Sequence, residues 1–191
     1  SLAGLELQTL LAVRALDDEA SVQGFRELLE RYPNRVRWQG SLARVYLFQL
    51  RYDDAAVVWQ NLVDGAKDTG SRNAYRAGLL RVYRSAGRIE TMRELAEGWL
   101  AEAPDDPVCR GLVLAADEAA EDYARIVERC TAWLRTEDAA RARQWRMQLL
   151  LALQQLEHFD EADIRLLEWL GETPDDISHV ALVANELSAR G

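Results

Sequence analysis

Proline and glycine are scarce in this 191-residue chain, with 4 and 11 copies, and runs of alternating β-branched residues are nearly missing. Alanine, leucine, arginine and glutamate dominate instead, all strong helix formers, so an all-α chain follows. Two cysteines make no disulfide framework at this length, and neither Cys109 nor Cys130 has the CxxC or Cys/His spacing of a zinc site. The two histidines, His158 and His179, stand alone, without a Cys, Ser or second His at useful spacing for a ligand or base role. No glycine-rich phosphate loop occurs, so no intrinsic enzyme and no cofactor are expected. No apolar run reaches the roughly 18 residues of a membrane span, and a soluble chain with a cytoplasmic location favoured is the expectation. Lysine is the rarest charge: of 23 basic residues only Lys67 is not arginine. That bias can reflect genomic base composition and carries little functional weight.

The net charge of −9 conceals an asymmetry. Residues 1–30 carry −4, residues 31–93 hold twelve basic residues against five acids, and residues 94–191 hold nine against twenty-one. A basic middle between acidic flanks says more about partners than the total does.

Self-similarity organises the rest. WLAEAPDD (99–106) and WLGETPDD (169–176) share six of eight letters, and a Trp-Leu pair also stands at 133–134. Around these markers an aromatic-x3-Leu-x3-Tyr pattern recurs as Trp38, Leu42, Tyr46 and as Tyr75, Leu79, Tyr83, with Trp145, Leu149, Leu153 as an aliphatic-ended copy. The i, i+4, i+8 spacing lays each trio along one helical face. A second pattern follows a tight break: RYDDAAVVWQNLV (51–63), GRIETMRELAEGWL (87–100) and HFDEADIRLLEWL (158–170). Asp53 and Asp160 fall in the first turn of these helices, favourable beside the positive helix end. Pro104 and Pro174 follow a helix end, and Asp106 and Asp176 are placed to cap the next helix, with Pro107 fitted to open it.

These helix pairs resemble tetratricopeptide repeats, whose unit is a helix–turn–helix of about 34 residues. The likeness is strongest in LARVYLFQLRYDDAAVVW and LLLALQQLEHFDEADIRLLEWL, with Ala55 and Ala162 where that family wants a small residue. It is weakest in the first unit, where Gln8 and Thr9 replace Leu and a small residue, and in the fourth, where Asp117 replaces tyrosine. The implied fold is an all-α, right-handed superhelical solenoid of five antiparallel helix pairs plus one terminal helix. The units are approximately 2–35, 36–72, 73–106, 107–142 and 143–176, with a half unit at 177–191. ISHVALVANELSARG (177–191) reads as a first helix without its partner, with Val180, Val183, Ala184 and Leu187 on one face. The chain is therefore expected to be a fragment of a longer array, the alternative being a native solvating cap.

In this family the first helices line a concave groove. Carried over residue by residue, the groove places are Arg37, Gly40, Arg44, Leu47 and Phe48 in the second unit, and Ala74, Ala77, Arg81, Arg84 and Ser85 in the third. Arginine forks suit carboxylate or phosphate groups. The Asn and Lys of a carboxylate clamp do not occur there, so no C-terminal-carboxylate specificity is implied. The function that follows is a protein–protein interaction scaffold holding a partner peptide or helix, acidic or extended. The competing account of these arginines is ordinary solvated side chains neutralised by neighbouring acids. A regulatory or targeting module of a larger enzyme is an alternative. Nucleic-acid binding through the basic middle is disfavoured by the acidity of the whole chain. In the later units Val108, Gly111, Ala115, Gln144, Met147, Leu151 and Gln154 make the groove more apolar, and the opposite-signed regions allow copies to associate head to tail.

Most aromatic residues fall at packing positions rather than stacking sites. The acidic cluster Asp117, Glu118, Glu121 and Asp122 lacks a calcium-loop pattern and reads as a solvated face. Cys109 and Cys130 fall on opposing helices of the fourth unit; two buried free thiols are expected, with a bridge as the alternative.

Overall fold

The computed structural model describes residues 2–14 and 18–172. Among the described residues there are ten α-helices and no strand. The half unit at 177–191, with His179, and the Pro174–Asp176 end of the second eight-residue motif lie outside the described residues. The chain divides into two compact units, residues 1–120 and 121–191, and this boundary falls inside the stretch expected to form the fourth repeat.

In the first unit the helices are α1 (Leu2–Arg14), α2 (Asp18–Arg31), α3 (Val36–Phe48), α4 (Tyr52–Asp64), α5 (Thr69–Ser85), α6 (Ile89–Glu102) and α7 (Pro107–Ala119). Each packs on its sequence neighbour, and α5 also reaches α7. The apolar face of each helix meets in one core that runs through Phe25, Trp38, Leu42, Tyr46, Leu79, Met92, Trp99 and Leu112. Ala55 and Ala96 are fully buried, which lets neighbouring helices approach closely. The second unit holds α8 (Tyr123–Leu134), α9 (Ala139–Gln155) and α10 (Phe159–Glu172). Its core is built by Ile126, Cys130, Trp145, Leu149, Leu153, Leu166 and Trp169, with Ala162 as the small contact residue. Trp133 leans on Trp145 at 5.0 Å between ring centroids. The packing role expected for the aromatic positions is thus met at Trp38, Trp99, Trp145 and Trp169, all nearly inaccessible.

Trp59 sets the spacing of α3, α4 and α5. A Cβ on Gly78 of α5 would stand 2.8 Å from three atoms of the Trp59 ring. Only glycine admits the indole at that distance. Gly40 of α3 faces the same ring, with an ordinary 3.8 Å approach.

Four turns between consecutive helices share one backbone geometry. Leu50, Gly87, Glu121 and Glu157 all adopt left-handed φ between 56° and 69°. In three of them the next backbone N–H closes the helix end: Arg51 N donates to Tyr46 O, Arg88 N to Tyr83 O and His158 N to Leu153 O, each at 2.9 Å. This is the glycine-type C-cap, yet only one of the four residues is glycine. A side chain held in the left-handed region costs about 1–2 kcal/mol, partly offset by the larger unfolded-state entropy of glycine. Leu50 is 68% exposed and has little packing to lose. Leu50→Gly is therefore expected to raise the unfolding free energy by about 0.5–1 kcal/mol, read as a higher urea midpoint with unchanged slope. A lower midpoint would mean that the leucine side chain contributes more than its backbone strain removes.

Three helix starts, those of α5, α7 and α8, are capped by aspartates, whereas Arg35, Arg51 and Arg88 precede α3, α4 and α6 without a side-chain cap. Asp68 accepts from Ser71 N at 2.8 Å, Asp106 from Val108 N at 2.7 Å and Asp122 from Arg125 N at 3.3 Å. Asp106 with Pro107 thus opens α7 as its sequence implies. Burial opposes ionisation of Asp106, but hydrogen bonds from Asn73 and from the Val108 and Cys109 backbone outweigh it and hold its carboxyl below the ordinary range.

WLAEAPDD joins α6 to α7, and buried polar side chains pin it. Arg76 of α5, almost fully buried, binds Glu102 at 2.6 Å and lies over the Trp99 ring at 4.9 Å. Asn73 donates to Asp106 at 2.9 Å, and Arg110 holds both Pro104 O (2.8 Å) and Asp105 (2.9 Å). The acidic cluster requires a correction. Asp117 is not on a solvated face: it is 1% exposed, and its carboxylate lies 3.7 Å from Arg93 of α6. Its place on α7, four residues after Val113 and three after Leu114, puts it on the buried side. Glu118 beside it is exposed. Cys109 and Cys130 are free and buried, and burial pushes both thiols up, Cys130 to about 12.

Candidate interaction groove

An open groove of about 470 Å³ lies between α1 and α3 in the first unit. Its floor is Phe25, Trp38 and Val45, three core residues whose buried positions follow from the helical period. One wall is the line Arg37, Ser41, Arg44, Phe48 along α3, spaced at i, i+4, i+7 and i+11 and therefore on one face. The other wall is Glu6, Leu10 and Val13 of α1.

The rim is unusually apolar for a surface. Phe48 is 82% exposed, Leu10 48% and Val13 39%, and such patches on folded chains mark contact sites. Glu6, the one acid of the lining among the described residues, already accepts the Trp38 indole N–H at 3.2 Å. Arg44 donates to Ser41 Oγ at 3.3 Å. Among the described residues no acid forms an ion pair with Arg37, Arg44, Arg81 or Arg84. Five other arginines of the unit do pair with acids, Arg51 with Asp54, Arg76 with Glu102, Arg88 with Asp53, Arg93 with Asp117 and Arg110 with Asp105, while Arg26, Arg31, Arg35 and Arg72 form no ion pair among the described residues. Neutralisation by neighbouring acids, the competing account of the basic middle, therefore describes Arg51, Arg76, Arg88 and Arg93 but not the groove arginines.

Of the ten residues expected to line a ligand groove in the second and third units, the structure brings Arg37, Arg44 and Phe48 together in this one. Leu47 packs half-buried against the core, and Gly40 faces Trp59. Arg81 and Arg84 are exposed on α5, outside this groove. The wall supplied by α1 was not among the expected residues. Its signal lay in Leu7, Leu10, Leu11 and Val13, more apolar side chains than one buried face takes up, and all four are exposed.

The helical fold has counterparts among solved structures. The described helices resemble a tetratricopeptide repeat protein from Parabacteroides merdae, with 12% identity, a TM-score of 0.53, and coverage of 98% of this chain and 71% of that one. They also resemble a thermophilic tetratricopeptide repeat protein of Thermus thermophilus, with 16% identity, a TM-score of 0.51, and coverage of 98% and 99%. The chain thus has a tetratricopeptide-repeat-like helical fold. No family model and no curated protein matches the sequence. Among the described residues no helix is long and apolar enough to cross a membrane.

Proposed function

We propose that this chain is a protein-interaction scaffold and that the groove between α1 and α3 receives an acidic, partly apolar segment of a partner protein. The observation that carries this reading is the pairing of two arginines that form no ion pair among the described residues with an apolar floor and an 82% exposed phenylalanine. Helix packing buries the core, which leaves these side chains free to select a ligand. Guanidinium groups supply carboxylate recognition, and Phe48 supplies apolar area.

The test is fluorescence anisotropy with a panel of labelled amphipathic peptides, acidic and basic, at low and high salt. Acidic peptides should bind more tightly and lose affinity with salt. Arg37→Glu with Arg44→Glu is expected to weaken binding by about tenfold or more, and Phe48→Ala by about 1–2 kcal/mol, while helicity stays unchanged. Indifference of every acidic peptide to both variants would place the ligand elsewhere.

A further inference from the structure

The spacing of the groove arginines, taken with the exposed faces of the rest of the chain, selects an occupant. Arg37 and Arg44 stand seven residues apart on α3, which is about 10.5 Å along a helix axis. An extended strand repeats the same face about every 6.6 Å, so neither its second nor its fourth residue matches that distance. A helix with carboxylates seven residues apart matches it directly.

Among the described residues, α10 has that pattern. Glu161 and Glu168 are seven apart on one face, and beside them run Ile164 and Leu167, 57% and 68% exposed. This gives two parallel stripes, one acidic and one aliphatic. The groove offers the complementary pair: the arginine line of α3 and the apolar rim of Leu10, Val13 and Phe48. α4 exposes Val57 as its one large aliphatic, and α6 exposes none. The charge asymmetry points the same way, since the arginines belong to the stretch with twelve basic residues against five acids and α10 to the acidic stretch.

We infer that α10 of a second copy occupies the α1–α3 groove, so that copies of this chain associate head to tail. The inference rests on the groove assigned above but goes beyond it by naming the occupant. Glu161 and Glu168 meet Arg37 and Arg44, while Ile164 and Leu167 cover Phe48 and Leu10. Arg165 stands between the two glutamates, 3.8 Å from Glu161 and 3.5 Å from Glu168. Such exposed pairs within a helix contribute little, so exchanging them for intermolecular ones costs little. The two surfaces differ, so the contact is heterologous, and it builds a ring where the rotation closes and an open series where it does not.

Sedimentation velocity of the full chain over rising concentration, at low and high salt, tests this. The wild type is expected to form a concentration-dependent series that shrinks in high salt. Arg37→Glu with Arg44→Glu, and separately Glu161→Arg with Glu168→Arg, should each weaken association by at least about tenfold with helicity retained. Mixing the two variants should restore it, because each reversed surface then finds its complement. A wild type that stays monomeric, or two variants that associate as the wild type does, would overturn the inference. If the wild type is monomeric yet Arg37→Glu with Arg44→Glu abolishes capture of a foreign acidic peptide, the groove reading stands and only the self-association falls. If neither copies nor acidic peptides bind, both fall.

Discussion

Trp99→Ala is expected to lower the unfolding free energy by about 3–5 kcal/mol, a large share of the stability of an ordinary domain. Trp99 is 7% exposed and shares the buried face of α6 with Met92 and Ala96. Truncating it removes apolar contacts and opens a cavity that fixed helices cannot fully close. It also strips Arg76 of its aromatic cover, for the guanidinium lies 4.9 Å from the ring centroid. Arg76 would keep Glu102 as its counterion, but a nearly buried cation would then border a void. Urea unfolding followed by circular dichroism measures the loss, and Trp99→Phe should keep more than half of the stability. A cost below about 1 kcal/mol would contradict the burial of this position.

Asp117→Ala should cost about 3 kcal/mol, whereas Glu118→Ala on the same helix should stay within about 0.5 kcal/mol. The difference lies in which face each carboxylate occupies. Asp117 is 1% exposed with Arg93 at 3.7 Å, and Arg93 itself is only one-fifth exposed, so removing the acid takes a buried carboxylate away from a poorly hydrated cation, which keeps the exposed Glu90 at 3.9 Å. Glu118 faces solvent. Equal effects of the two substitutions, measured as above, would return Asp117 to the solvated face that its acidic neighbours suggest.

Asp117 also shows where sequence reading succeeded and where it failed. The repeat register put it at the place that tyrosine holds in neighbouring units, a buried position. Composition, with three more acids close by, put it in solvent. The register was the better guide, because burial follows the 3.6-residue period and not the company a residue keeps. The same period placed Trp38, Leu42 and Tyr46 in the core and Arg37 and Arg44 outside it. The aspartate cap at Asp106 was legible because the joint repeats and its chemistry is local. The buried arginines were not legible, since Arg76 and Arg110 are defined by partners 26 and 5 residues away that no periodicity marks. The α1 wall escaped for a related reason. Thr9 takes the place of a small residue, and what accommodates it is Gly24 across the helix pair, where a Cβ would stand 2.3 Å from Thr9 Oγ1. Such compensation between distant positions is a property of the packing, so it is visible only once the helices are docked.

The two thiols carry a consequence for kinetics. Burial disfavours the Cys130 thiolate at neutral pH, and both Cys130 and Cys109 are shut from solvent. Alkylation must therefore wait for the surrounding helices to open, and its rate becomes a clock for that opening. Cys109 lies in the first compact unit and Cys130 in the second. The chain thus holds two built-in reporters, one per unit, that time the breathing of each without any added label site.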